Sequence, residues 1–342
     1  AIDDNFSKYS PVSGYPALRN AISKKLKAEN GLDYAASEII VGTGGKQGVC
    51  NTMMALVNPG DEVIIPAPYW VSYPQMVKLA GGNPVIISAG IEQDFKITAD
   101  QLEASITPKT KMIILCSPSN PTCSVYTKAE LDELAKVVIS HEDVFVLSDE
   151  IYEHINYIGK HASIAACPNM KERTIICNVV SKAYAMTGWR LGWVAAPEWI
   201  VKGLNKLQGQ YTSGTSSVSQ MAALAAYEGN QQCVEDFRKT FQRRRDLIVN
   251  LAKGIPGLEV NIPQGAFYLF PKCSSFFGKS NGKYTINNST DLAMYLLEEG
   301  HVATVGGDDF GSPDCFRMSY ATSDDNIKEA LQRIKDALSK LK

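Results

Sequence analysis

At 342 residues, with an apolar share of 45% and a formal net charge of −2, the chain has the make-up of an ordinary globular protein too long for one small core. Such a charge balance implies no nucleic-acid surface, and no apolar run is long enough to span a bilayer. The eight cysteines are scattered without a Cys-x-x-Cys pair, several inside strand-like runs. They read as free thiols of a cytoplasmic protein, with no signal peptide ahead of Ala1 and no metal centre.

In chain order, Glu38 to Val41 is a β-branched run that leads into Gly42-Thr43-Gly44-Gly45 and then a helical stretch to Asn58. Further strands are expected at Asp61 to Pro66, Pro84 to Ser88, Lys111 to Cys116, Val144 to Ser148, Thr174 to Val180 and Leu191 to Ala195. Between them lie amphipathic stretches such as Lys128 to Ser140, whose Leu131, Leu134, Ala135 and Val138 recur at helical spacing. Strand and helix in alternation argue an α/β domain with a mostly parallel sheet covered on both faces. After about residue 212 the texture changes. A Ser-rich turn (Ser213 to Ser219) opens a long helical region through Lys253, in which Arg243-Arg244-Arg245 reads as a solvated face. From Gly257 the pattern is α+β, with strands at Leu258 to Ile262, Gly265 to Phe270, His301 to Val305 and Cys315 to Tyr320, and a last helix from about Asp325. Two domains are expected, 1–234 and 235–342.

The residues that carry chemistry fall at strand ends, where ligand sites of such sheets gather. Lys182, in Ser181-Lys182-Ala183-Tyr184, stands at the end of a buried run, where an ammonium is costly unless something uses it. A Schiff base with an aldehyde cofactor is the chemistry that most often does. Arg190, eight positions on, suits a phosphate, as do the Gly44-Gly45-Lys46 backbone amides at a helix start. Trp70, in Pro68-Tyr69-Trp70, is a domain-packing residue or a platform for a flat ring. Asn120, held between Pro118 and Pro121, offers an amide or makes an Asx-type turn. Asp149, after the Val144 to Ser148 run, wants a cationic partner such as a protonated pyridine nitrogen, and Tyr152 can reach the same place. Glu150 and Glu153 read as structural, and no second histidine completes a metal set with Asp149, Glu150 and His154. Singly these are modest signals. Jointly they supply what a pyridine aldehyde phosphate needs: phosphate cradle, platform, amide, acid, lysine and arginine.

Asn120-Pro121-Thr122, Asp149-Glu150-Ile151-Tyr152 and Ser181-Lys182-x6-Gly188-Trp189-Arg190 resemble the class I, fold-type I pyridoxal-phosphate aminotransferases. The string Pro68-Tyr69-Trp70-Val71-Ser72-Tyr73-Pro74 resembles their bacterial aspartate aminotransferase branch, some members of which also accept prephenate. The resemblance implies a seven-stranded large domain and a smaller C-terminal domain. It implies pyridoxal 5'-phosphate on Lys182, with Asp149 at the ring nitrogen, Tyr152 and Asn120 at the phenolic oxygen, and Trp70 stacked on the ring. Gly45, Lys46 and Arg190 would bind the phosphate, and Arg317, in Phe316-Arg317-Met318, the substrate α-carboxylate. Tyr9 would reach the phosphate of a neighbouring subunit in a homodimer. The reaction implied moves an amino group from an L-amino acid, aspartate first, to a 2-oxo acid, 2-oxoglutarate first, in two half-reactions.

Three departures stand out. The family has several dozen residues, an arm over the substrate among them, before the stretch that matches Lys8. Cys123 stands where glycine is usual, and so does Val179; both are expected to crowd the cofactor loops. The same cofactor shell also supports carbon–sulfur β-lyase chemistry, or transfer specific for aromatic amino acids or prephenate. An aminotransferase-like regulatory domain is the non-enzyme alternative.

Overall fold

The computed structural model describes residues 1–342. Seven strands form one sheet: β1 (Ile39–Gly42), β2 (Glu62–Ala67), β3 (Asn83–Ser88), β4 (Thr110–Cys116), β5 (Phe145–Asp149), β6 (Thr174–Val179) and β7 (Gly192–Ala195). Their order is β1-β7-β6-β5-β4-β2-β3, and only β7 runs antiparallel to its neighbours. The other six strands therefore end on one edge. The helices are α1 (Pro16–Lys25), α2 (Gly45–Leu56), α3 (Ser72–Leu79), α4 (Ala99–Glu103), α5 (Lys128–Ser140), α6 (Glu198–Tyr211), α7 (Ser217–Glu228), α8 (Gln232–Lys253), α9 (Ser289–Gly300) and α10 (Asp324–Leu338). A second sheet, β8 (Tyr268–Leu269), β10 (Phe316–Ser319) and β9 (Val305–Gly306) in that order, is antiparallel.

Alternation along the strands explains the layering, because successive side chains point to opposite faces. Ile40, Val63, Ile65, Ile114, Ile175 and Val194 pack under α2, α3 and α6. Their neighbours Ile64, Ile113, Leu115 and Val146 pack under α4 and α5 on the other face. Ile39, Val41, Ile176 and Trp193 continue that second face under α1 and α7. Both faces are thus apolar, which is why the strands read as unbroken β-branched runs. The C-terminal part has its own core from Ile248 to Leu341, built from the end of α8, α9, α10 and the small sheet.

Four sequence expectations change, the first at His301 to Val305, where only Val305 belongs to a strand, β9. Leu258 to Ile262 makes only one bridge, Glu259 to Lys272, and is not a strand. Prolines at 256 and 263 bracket it and leave little room for a ladder. The helical region after Ser213 is two helices, broken at Gly229-Asn230. The triple arginine is solvated only at Arg243. Arg244 reaches Asp324, and Arg245 donates to the Pro263 carbonyl (2.9 Å) and lies over the Tyr157 ring.

Candidate active site

The strand ends meet at one cavity of about 380 Å³. Gly45, Lys46, Trp70, Asn120, Asp149, Tyr152, Lys182, Arg190 and Arg317 all line it. The connections after β1, β2, β4, β5 and β6 deliver all but Arg317, which comes from β10. Tyr9 lies outside and is fully exposed.

At one end, Gly44 caps α2 with φ 80°, a left-handed conformation that suits glycine, and no side chain caps the helix. Gly44 N–H bonds the Gly42 carbonyl and Gln47 N–H the Gly44 carbonyl, so the Gly45 and Lys46 N–H groups, at the positive end of the helix dipole, are the ones free for an anion. Close approach makes this possible: a Cβ on Gly192 in β7 would stand 2.5 Å from the Gly45 nitrogen. Arg190 bends over the same turn, its Nη2 2.6 Å from where a Gly44 Cβ would be. Its Nη1 donates to the Thr187 carbonyl at 3.0 Å. Val179 fits because residue 45 is glycine; a Cβ there would meet Val179 Cγ1 at 2.8 Å. The expected crowding is thus absorbed at Gly45.

In the middle, Asp149 ends β5 at 2% exposure. The Tyr73 hydroxyl donates to its Oδ2 at 2.5 Å, and the Ile151 amide is 3.4 Å from Oδ1. Burial pushes its carboxyl up to about 6, against the Tyr73 bond and the Lys182 charge. Lys182 Nζ lies 5.5 Å from the centres of the Tyr152 and Phe267 rings. Burial lowers its pKa, and Arg317 and Arg190 lower it further, with Asp149 opposing. Trp70 forms one wall, edge-on to Tyr73 at 5.4 Å, with Lys46 Nζ 5.0 Å from its ring.

At the other end, Arg317 Nη1 donates to Asn120 Oδ1 at 2.8 Å. The guanidinium lies 4.6 Å from the Tyr268 ring centre and 4.8 Å from that of Phe310. The Tyr268 hydroxyl is 3.0 Å from that of Tyr152. Sequence reasoning missed Tyr73 and Tyr268. Tyr73 lay inside a motif already singled out, but its target is visible only once α3 packs beside β5. Tyr268 lay inside the strand expected at Gly265 to Phe270, but nothing local shows that the small sheet brings it against Tyr152 and Arg317.

The donor set fits pyridoxal phosphate. A buried carboxylate meets only a hydroxyl and one long amide contact, which leaves it short of a cation for a pyridinium to supply. An uncapped helix start with an arginine over it suits a phosphate, and a lysine with a depressed pKa lies between them.

The chain belongs to the class I and II aminotransferase family, whose sequence pattern matches residues 1–334, and its cofactor is pyridoxal phosphate. Among its relatives is the bifunctional aspartate aminotransferase and glutamate/aspartate-prephenate aminotransferase of Petunia hybrida, 47% identical over all of this chain and 72% of that protein. The aspartate/prephenate aminotransferase of Cereibacter sphaeroides is 48% identical over 98% of this chain and 84% of its own length. The crystal structure of the aspartate aminotransferase of Rhizobium meliloti superposes with a TM-score of 0.97 at 45% identity, covering 100% of this chain and 86% of that one.

Proposed function

We propose that the protein moves the amino group of aspartate to a 2-oxo acid, 2-oxoglutarate first, by alternating half-reactions. The observation that carries this is a lysine amine in one cavity with a buried carboxylate and with an arginine toward each end. Choice of aspartate is supported by the relatives that carry that activity in their names.

Pyridoxal phosphate, when bound, supplies the carbonyl that takes up the amine and the ring that stabilises a carbanion. Lys182 would hold it through Nζ, and the same amine, when free, would be the base that takes the substrate Cα proton. Its depressed pKa favours the neutral amine this requires. Asp149 accepts from the ring nitrogen and keeps it protonated, while the Tyr73 hydroxyl holds the carboxylate in place. Tyr152 and Asn120 bind the phenolic oxygen, and Trp70 covers the ring. Gly45 and Lys46 amides with Arg190 hold the phosphate. Arg317 takes the α-carboxylate as a bidentate pair. When it does, the Asn120 amide that it now engages is released to its own task.

A homodimer with shared sites is part of the proposal, supported by the full exposure of Tyr9, which lines no part of this chain's own cavity. Two domains meeting near residue 234 are supported by the separate core of the C-terminal part. A cytoplasmic setting is supported by eight unpaired cysteines.

Aspartate added to the purified holoprotein is expected to convert the bound cofactor to its amine form, seen as a shift of its absorption band. Conversion by phenylalanine or cysteine sulfinate but not by aspartate overturns the aspartate assignment. Release of pyruvate and ammonia from cystathionine without amino transfer overturns transfer in favour of the lyase.

A further inference from the structure

Cys123 follows Asn120-Pro121-Thr122 and is fully buried. Its φ is +61°, a left-handed conformation that strains any residue with a Cβ. Something must hold it there. Its amide donates to the Ser119 carbonyl at 3.0 Å, and its own carbonyl accepts from Gln264 (2.9 Å) and Gly265 (3.0 Å). A glycine would keep all three of these bonds. The thiol adds a fourth: Cys123 Sγ accepts from the Tyr268 amide at 3.2 Å. Tyr268 lies on β8, the edge strand of the small sheet, where outward N–H groups need partners from elsewhere. The sulfur is the partner of this one.

We propose that Cys123 is a positioning residue, whose sulfur fixes Tyr268 and through it the Arg317 guanidinium that receives the substrate carboxylate. The contacts close a ring: Cys123 to Tyr268, Tyr268 to Arg317 across 4.6 Å, Arg317 to Asn120 at 2.8 Å, and Asn120 back to Cys123 three residues on. That ring joins a loop of the large sheet to the small sheet, so the carboxylate site is assembled before substrate arrives. Tyr268 also carries the hydroxyl that meets Tyr152. Loss of the sulfur leaves a buried N–H without a partner and frees the Tyr268 ring. The inference rests on the proposed role of Arg317, which Arg317→Lys tests separately.

In the holoenzyme, Cys123→Gly and Cys123→Ala are expected to raise KM for the amino acid about five- to tenfold with kcat within about twofold. Cys123→Ser restores an acceptor and is expected to return KM to within about threefold of the parent. In the cofactor-free protein, hydrogen exchange at the Tyr268 amide should quicken at least about tenfold in the glycine variant and recover in the serine variant. An unchanged KM in the glycine variant, where Arg317→Lys raises it, overturns the inference and leaves the Arg317 reading intact. An unchanged KM in Arg317→Lys instead overturns the Arg317 reading. If the alanine and glycine variants do not fold, the serine variant decides: exchange at Tyr268 as slow as in the parent supports the role, and fast exchange with normal KM removes it.

Discussion

Two buried carboxylates four residues apart, Asp149 at the end of β5 and Glu153 in the turn after it, are treated by the fold in opposite ways. Glu153 meets Lys25, accepts from Asn178 at 2.7 Å and from Asn30 at 2.8 Å. Burial opposes its ionisation, but Lys25, His154 and His161 outweigh burial and hold its carboxyl well below the usual range. Glu150 between them is likewise satisfied, by Ser148 (2.8 Å), Ser163 (2.5 Å) and His161 (3.0 Å). Asp149 faces the cavity with one hydroxyl and a distant amide, and its pKa rises to about 6. The lesson is that burial alone does not mark a site. A buried acid paired with a cation is architecture, and one bonded only to neutral donors on a cavity wall is an invitation to a cation.

The largest test of the cavity side is Lys182→Ala. Turnover should fall by at least about a thousandfold, with the absorption band of the covalently held cofactor lost as well. Turnover that survives would remove Lys182 from its role. On the architectural side, Glu153→Gln leaves Lys25 buried with only the partly exposed Glu29, 3.5 Å away, as counter-charge and should cost about 3 kcal/mol in denaturant unfolding of the cofactor-free protein. A loss below about 1 kcal/mol would place the pair with exposed salt bridges and break the contrast.

The smallest effect is the dependence on pH, and here the two acids differ in sign. A depressed pKa means that the Glu153 contribution is present above its unfolded value and is lost as pH falls below it. A raised pKa means the reverse for Asp149: its folded form holds the proton more tightly, so its contribution is full below pH 3.8 and is lost as pH rises toward about 6. That loss amounts to roughly 3 kcal/mol in the cofactor-free protein. Asp149→Asn should therefore flatten stability between about pH 4 and pH 6, and Tyr73→Phe should steepen it by removing the hydroxyl that favours the charged form. Parallel profiles for parent and Asp149→Asn would mean that Asp149 is not the titrating group.

Much of this was legible in the sequence because it is local. Lys182, Asp149 and the Gly44-Gly45 turn each sit next to a strand with an unbroken apolar run, so their place at the sheet edge follows from the run itself. What was not legible depends on meetings across the fold. Tyr73 needs α3 to lie beside β5, and Tyr268 needs the small sheet to dock on the Asn120 loop. Arg245 looked like one of three solvated charges until the Pro263 carbonyl and the Tyr157 ring came to meet it. Leu258 to Ile262 had strand composition but found only one bridging partner. Composition reports a residue's preference and not whether a partner arrives.

The reversed strand β7 has a consequence of another kind. It pairs with β6 at Val179 and Gly192, and the connection between those two residues carries both Lys182 and Arg190. The sheet therefore works as a gauge block: it anchors both ends of the connection that carries the amine and the guanidinium. A one-residue insertion or deletion between Lys182 and Arg190 would change their spacing while both strand ends stay fixed.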